Sequence, residues 1–128
     1  MKEPRWLTRE IVLVLHGELL AEHGGAAGLR DESGLESALA RARQQHHYES
    51  RDVLALGAAY AFGLCSNHPF VDGNKRVALA SLDVFLRING WALTASEVEA
   101  VSTILELASG ALSEGRLTEW VGENAERL

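Results

Sequence analysis

Thirteen consecutive positions, Val53 to Cys65, carry only apolar residues or glycine, and no other feature restricts the fold of this chain as strongly. The run falls short of the ~20 residues that a membrane-crossing helix requires. Asp52 stands where an N-cap would, so the run reads as a helix from Val53 to about Ser66. It is apolar nearly all round and rich in small residues (Ala55, Gly57, Ala58, Ala59, Ala61, Gly63). A helix with no polar face has to be surrounded, which predicts a central helix with neighbours on several sides.

The neighbours are legible as further helices. Thr8 caps a segment from about Arg9 to His23, with Ile11, Leu15, Leu19 and Leu20 on one face, and Gly24-Gly25 ends it. Ser33-Gly34-Leu35-Glu36 has the form of a capping box and opens a helix to about Gln45. The polar connection from Gln45 to Arg51 then reads as a small exposed flap, in which His46 and His47 would contact a target. A fourth helix starts within the stretch from His68 to Arg76, runs to Asn89 and stops at Gly90. Thr94-Ala95-Ser96-Glu97 reads as a second capping box, for a helix reaching about Ser109 before Gly110. The last helix covers about Glu114 to Asn124 and presents Leu117, Trp120 and Val121. Alternating strand patterns are nearly absent, and Trp91-Ala92-Leu93 is at most a brief extended piece. The expectation is an all-α, compact bundle of about six helices, forming one domain over residues 1–128.

Composition narrows the functional classes. With 47% hydrophobic and 23% charged residues the chain is globular rather than disordered. A net charge of -6 without a basic face argues against nucleic acid as the main partner. A lone cysteine, Cys65, excludes an internal disulfide and reads as a small core residue. The N-terminus, from Met1 to Trp6, has no apolar core of a signal peptide, so the expected location is the cytoplasm.

The chemistry is concentrated between His68 and Arg76, where the sequence reads His-Pro-Phe-Val-Asp-Gly-Asn-Lys-Arg. Each residue has a structural explanation on its own: Asp72 a cap, Gly73 a turn, His68 a loop histidine. Together they meet the separate needs of phosphate-ester chemistry. Attack of a hydroxyl on phosphorus needs a base, and histidine has the suitable free pKa. The phosphate oxygens need neutralising by backbone N–H groups, Lys, Arg and Mg²⁺. A single carboxylate beside substrate phosphates is a common Mg²⁺ holder. Lys75 and Arg76 also fall in a first helical turn, where the helix dipole disfavours cations unless an anion joins them.

This stretch resembles the signature of the Fic/Doc superfamily, H-P-F-x-[DE]-G-N-x-R. Upstream, Gly24-Gly25, Gly28-Leu29-Arg30-Asp31 and Gly34 to Arg41 are similar to the death-on-curing (Doc) branch, as is Phe85 to Trp91 downstream. The resemblance implies a catalytic set of His68, Asp72 and Arg76, with His68 the base for a target hydroxyl and Asp72 the Mg²⁺ ligand. It also implies an ATP-binding set of Phe70, Gly73, Asn74, Lys75 and Arg76, Phe70 serving as hydrophobic anchor. Members that transfer AMP usually read G-N-G-R-x-x-R. Here Lys75 replaces the second glycine and Leu79 the second arginine, as in the Doc branch, whose type activity is phosphorylation of elongation factor Tu. Gly73 points the other way, because the type member of that branch has alanine there. The resemblance thus implies a type II toxin that phosphorylates elongation factor Tu. The alternatives are AMP transfer by the same site and a catalytically idle binding protein.

Many Fic proteins restrain themselves with a helix carrying [ST]-x-x-x-E-[GN]. Glu114-Gly115 is preceded four residues back by Gly110, and Glu123-Asn124 by Glu119, so neither fits. Control is therefore expected from an antitoxin whose tail folds into a helix on this chain. The remaining histidines, His16 and His23, read as partly exposed rather than functional.

Overall fold

The computed structural model describes residues 3–128, so Met1 and Lys2 of the N-terminal stretch lie outside the described residues. Six helices and two short strands follow one another as α1 (Arg9–His23), α2 (Glu32–Glu49), α3 (Val53–Asn67), α4 (Asn74–Ile88), β1 (Trp91–Leu93), α5 (Glu97–Ser109), α6 (Glu114–Glu123) and β2 (Ala125–Arg127). The fold is all-α, as the periodicity predicts. β1 and β2 pair antiparallel, Trp91 opposite Arg127, so the extended piece at Trp91 has a partner at the C-terminus.

α3 is the central helix. Every residue from Ala55 to Ala61 is buried, and α2, α4, α5 and α6 all pack on it. Its small residues set the packing distance. A Cβ on Gly63 would lie 3.0 Å from the Cα of Ala38, so α2 rides on α3 at backbone contact. Leu35, Leu56, Leu64, Leu82, Phe85 and Leu117 are fully buried around this axis. The N-terminal segment closes over the same core. The Leu7 N–H donates to the Tyr60 hydroxyl (3.2 Å), and burial pushes the Tyr60 pKa up to about 12.

Four local expectations need correction. The α2 cap is Asp31, not Ser33: the Asp31 carboxylate accepts from the Gly34 N–H at 2.9 Å. The α5 cap is Ser96, not Thr94, and its box partner is Glu99, whose N–H and carboxylate both meet the Ser96 hydroxyl. The supposed flap is helical through Glu49, with the His46 ring set edge-on against Trp6 at 5.4 Å. On α1 the buried residues are Val12 and His16, while Ile11, Leu15, Leu19 and Leu20 are only half-buried. The first three corrections shift boundaries; the fourth bears on the site.

α2 stays helical past Gln45 because its C-terminal half is tied to α6. The Glu114 carboxylate accepts from the Arg41 guanidinium and from the Gln45 amide (3.0 Å). Burial disfavours the Glu114 charge, but those hydrogen bonds and the cation of Arg41 outweigh it and hold the carboxyl below its ordinary value. A folded pKa below the unfolded one means that this tie stabilises fully above the ordinary Glu pKa of about 4.3 and is lost as pH falls through the lowered value. Glu114→Gln is therefore expected to cost about 1 kcal/mol at pH 7, read as a lower urea midpoint. The gap to wild type should narrow towards pH 3; an equal gap at both pH values would show that the carboxylate charge is irrelevant.

Candidate active site

The His68–Arg76 stretch is the connection from α3 to α4. α3 ends at Asn67, and His68, its C-cap, takes a left-handed backbone conformation (φ 45°, ψ 57°). Such φ values are uncommon for a residue with a side chain, and they persist where surrounding contacts fix them. Phe70 turns inward and is 1% exposed. Val71 and Asp72 return to the surface, and Gly73, again left-handed (φ 79°), starts α4.

Three attachments hold this loop. The Asn74 side chain brackets the Phe70 backbone, its Oδ1 accepting from the Phe70 N–H (2.9 Å) and its Nδ2 donating to the Phe70 carbonyl (3.0 Å). The His16 ring, 5% exposed, stacks on the Phe70 ring (centroids 3.8 Å apart, planes 13° apart) and donates from Nε2 to the Asp72 carbonyl at 2.7 Å. Residues 28–31 run antiparallel along the loop: Leu29 pairs with Phe70, and the Val71 N–H donates to the Gly28 carbonyl at 3.0 Å.

The expected site residues then separate into two groups. His68, Asp72, Gly73, Asn74, Lys75 and Arg76 line one cavity of about 560 Å³, together with His23, Gly24, Gly25, Leu79 and the α5 residues Val101, Ile104 and Leu105. Phe70 lies beneath it in the core, an anchor without access to a ligand. Asn74 contributes to the cavity through its backbone, since its side-chain amide is committed to Phe70.

The cavity floor is the start of α4. Five helices have an N-cap side chain accepting a backbone N–H: Thr8, Asp31, Asp52, Ser96 and Ser113. α4 starts at Gly73 with no side-chain cap, which corrects the structural reading of Asp72 as that cap. First-turn N–H groups are thus left for an anion, at the positive end of the helix dipole. Among the described residues no carboxylate is paired with Lys75 or Arg76, so both cations remain available to the same ligand.

Asp72 accepts one N–H on each oxygen, from Gly73 (2.8 Å) and from Ala26 (3.3 Å). Gly25 is pressed against it: a Cβ there would sit 2.7 Å from Oδ2. Each carboxylate oxygen keeps a further lone pair, which suits a Mg²⁺ that arrives with phosphates and retains water. No group of three His, Cys, Asp or Glu able to hold a metal alone occurs among the described residues. Cys65 stays outside the chemistry, because burial pushes its thiol up to about 11 and the nearby Lys75 charge offsets this only in part.

His16 is the residue that sequence reading missed. Its signal was the i, i+4 ladder Val12–His16–Leu20, which places it on the inward side of α1 whatever its polarity. His23, by contrast, does line the cavity.

Comparison with known proteins agrees with this geometry. Residues 6–86 match the model of the Fic/DOC family. The chain is 33% identical over 87 residues to the protein kinase doc of Escherichia phage P1, covering 67% of this chain and 69% of that protein. A match spanning α1 to α4, with the whole loop that carries His68 inside it, shows that the chain belongs to the Fic/DOC family.

Proposed function

We propose that this chain is a Doc-like toxin that transfers the γ-phosphoryl group of Mg²⁺–ATP to a hydroxyl of a cellular protein, elongation factor Tu being the favoured target. The observation that carries the reading is the uncapped start of α4, opening on a cavity that His68 also lines. His68, Asp72, Gly73, Asn74, Lys75 and Arg76 line that one cavity, and each would have its own task there. The N–H groups of α4, with Lys75 and Arg76, would hold phosphate oxygens and neutralise the charge that develops on them. Mg²⁺, held by Asp72 and by phosphate oxygens, would add to that neutralisation. His68 would accept the hydroxyl proton as the oxygen bonds to phosphorus, and the bond from the γ-phosphorus to its bridging oxygen would break to release ADP.

Transfer of phosphate rather than AMP is supported by Leu79. It lines the cavity at the position where AMP-transferring relatives carry their second arginine, so one clamp on the phosphates that leave as pyrophosphate in AMP transfer is replaced by an apolar wall. The similarity to a relative named a protein kinase points the same way. Gly73 favours the second reading, AMP transfer, because it is the residue of the AMP-transferring form. An antitoxin acting in trans is part of the proposal, its helical tail lying on an apolar surface of the bundle. No described helix is long and apolar enough to cross a membrane, in keeping with a cytoplasmic target.

Intact-mass spectrometry of elongation factor Tu after incubation with this chain, ATP and Mg²⁺ tests the chemistry. One added phosphate is expected, with the rate reduced ~10²–10⁴-fold in His68→Ala and its circular dichroism unchanged. An added AMP would establish the second reading, and an unchanged rate in the variant would remove His68 as the base. Biological control has its own test. Expression of the chain alone should arrest growth, and co-expression of the neighbouring gene should restore it; harmless overexpression of the folded chain would favour an idle binding protein.

A further inference from the structure

We infer that Arg30 is a positioning residue for the His68 base, acting through the His68 carbonyl; the inference rests on the assignment of His68 proposed above. Among the described residues, α3 is the one helix whose C-cap N–H makes no hydrogen bond back into its own helix. Its last carbonyls are met from outside instead. The Arg30 guanidinium donates to the His68 carbonyl from both Nε (3.1 Å) and Nη2, and Nη2 also reaches the Asn67 carbonyl at 3.4 Å. No carboxylate pairs with this guanidinium among the described residues, and all of its hydrogen bonds go to these two carbonyls.

The arrangement is suited to fixing a backbone direction. His68 adopts a left-handed conformation that only a few per cent of residues with a side chain take. Two N–H groups of one planar fork on one carbonyl oxygen define where that carbonyl points, and hence where the His68 side chain leaves the chain. The next peptide is held by the same segment, since the Arg30 and Asp31 N–H groups both donate to the Pro69 carbonyl (2.7 and 2.9 Å). Phe70, Asn74 and His16 secure the loop after the base, whereas Arg30 secures the base itself. Arg30 lies thirty-eight residues upstream in the chain and outside the His68–Arg76 stretch.

A simpler role is available: a cation at a helix C-terminus, where the dipole favours positive charge. Lysine would serve that role almost as well, because it keeps the charge but lacks the fork. Positioning predicts a different pattern. Misplacing a reacting group by about an ångström costs on the order of a hundredfold in rate, while phosphate binding by α4 should not change.

The test compares Arg30→Lys and Arg30→Ala with wild type by steady-state kinetics of the modification reaction and by backbone chemical shifts of His68. Positioning predicts that kcat falls about ten- to a hundredfold in Arg30→Ala, with little recovery in Arg30→Lys and KM for ATP within about twofold of wild type. It also predicts that the His68 Cα and amide shifts leave the left-handed range or broaden in both variants. Full kcat in Arg30→Lys, or His68 shifts unchanged in Arg30→Ala, would overturn it. Should wild type modify no target at all, the phosphoryl-transfer reading fails, and the chemical shifts still decide whether Arg30 sets the His68 backbone.

Discussion

Because α3 is buried without a break from Ala55 to Ala61, the rest of the chain has to enclose it, and the site is a consequence of how that enclosure closes. α2 and α4 flank α3, and the short α3–α4 connection must leave the core and return within six residues. Phe70 meets that demand by staying in the core while its neighbours surface. The loop is therefore a rigid arch over a buried aromatic ring. His68 stands at one foot of the arch and the open start of α4 at the other. A loose loop of the same composition would hold the same groups but could not keep the His68 imidazole and the uncapped helix start in fixed relation.

Holding the arch uses residues that a functional reading would assign to the ligand. Asn74 is the clearest case. Its side chain completes two hydrogen bonds with the Phe70 backbone, so what it has left to offer a ligand is a backbone N–H. Its amide supplies both a donor and an acceptor, which an aspartate, acceptor-only when ionised, would not. His16 acts similarly from α1, with one face on Phe70 and Nε2 committed to the Asp72 carbonyl. What the loop and the start of α4 present to the cavity is then simple: the Asp72 carboxylate, the cations of Lys75 and Arg76, unpaired among the described residues, the uncapped N–H groups and the His68 imidazole.

Much of the fold was legible because its signals are local. Gly24 and Gly110 stop α1 and α5 where the sequence says they should, and the all-round apolarity of α3 identifies the central helix. Two of the misreadings were decided by a distant partner, whereas the α5 cap is a local choice of Ser96 with Glu99 over Thr94. Asp31 displaces Ser33 as the α2 cap in a segment already tied to the Pro69 carbonyl. The polar stretch after Gln45 remains helical beside bonds to Glu114 and a contact with Trp6. The same holds for the site. The residues from His68 to Arg76 announce their chemistry within one short stretch, whereas His16, Gly25 and Arg30 matter through contacts made by the folded chain. Only His16 left a trace in the helical periodicity.

The central claim is that the start of α4 receives the phosphates of a nucleotide. Backbone amide chemical shifts recorded while Mg²⁺–ATP is titrated into the wild-type chain test it most directly, without requiring a target protein. The account predicts the largest changes at the N–H groups of Gly73, Asn74, Lys75 and Arg76, with smaller ones at His68 and at Gly24 and Gly25 across the cavity. Phe70 and Tyr60, buried beneath the site, should move little. Saturable shifts centred elsewhere, or none at millimolar nucleotide, would contradict it.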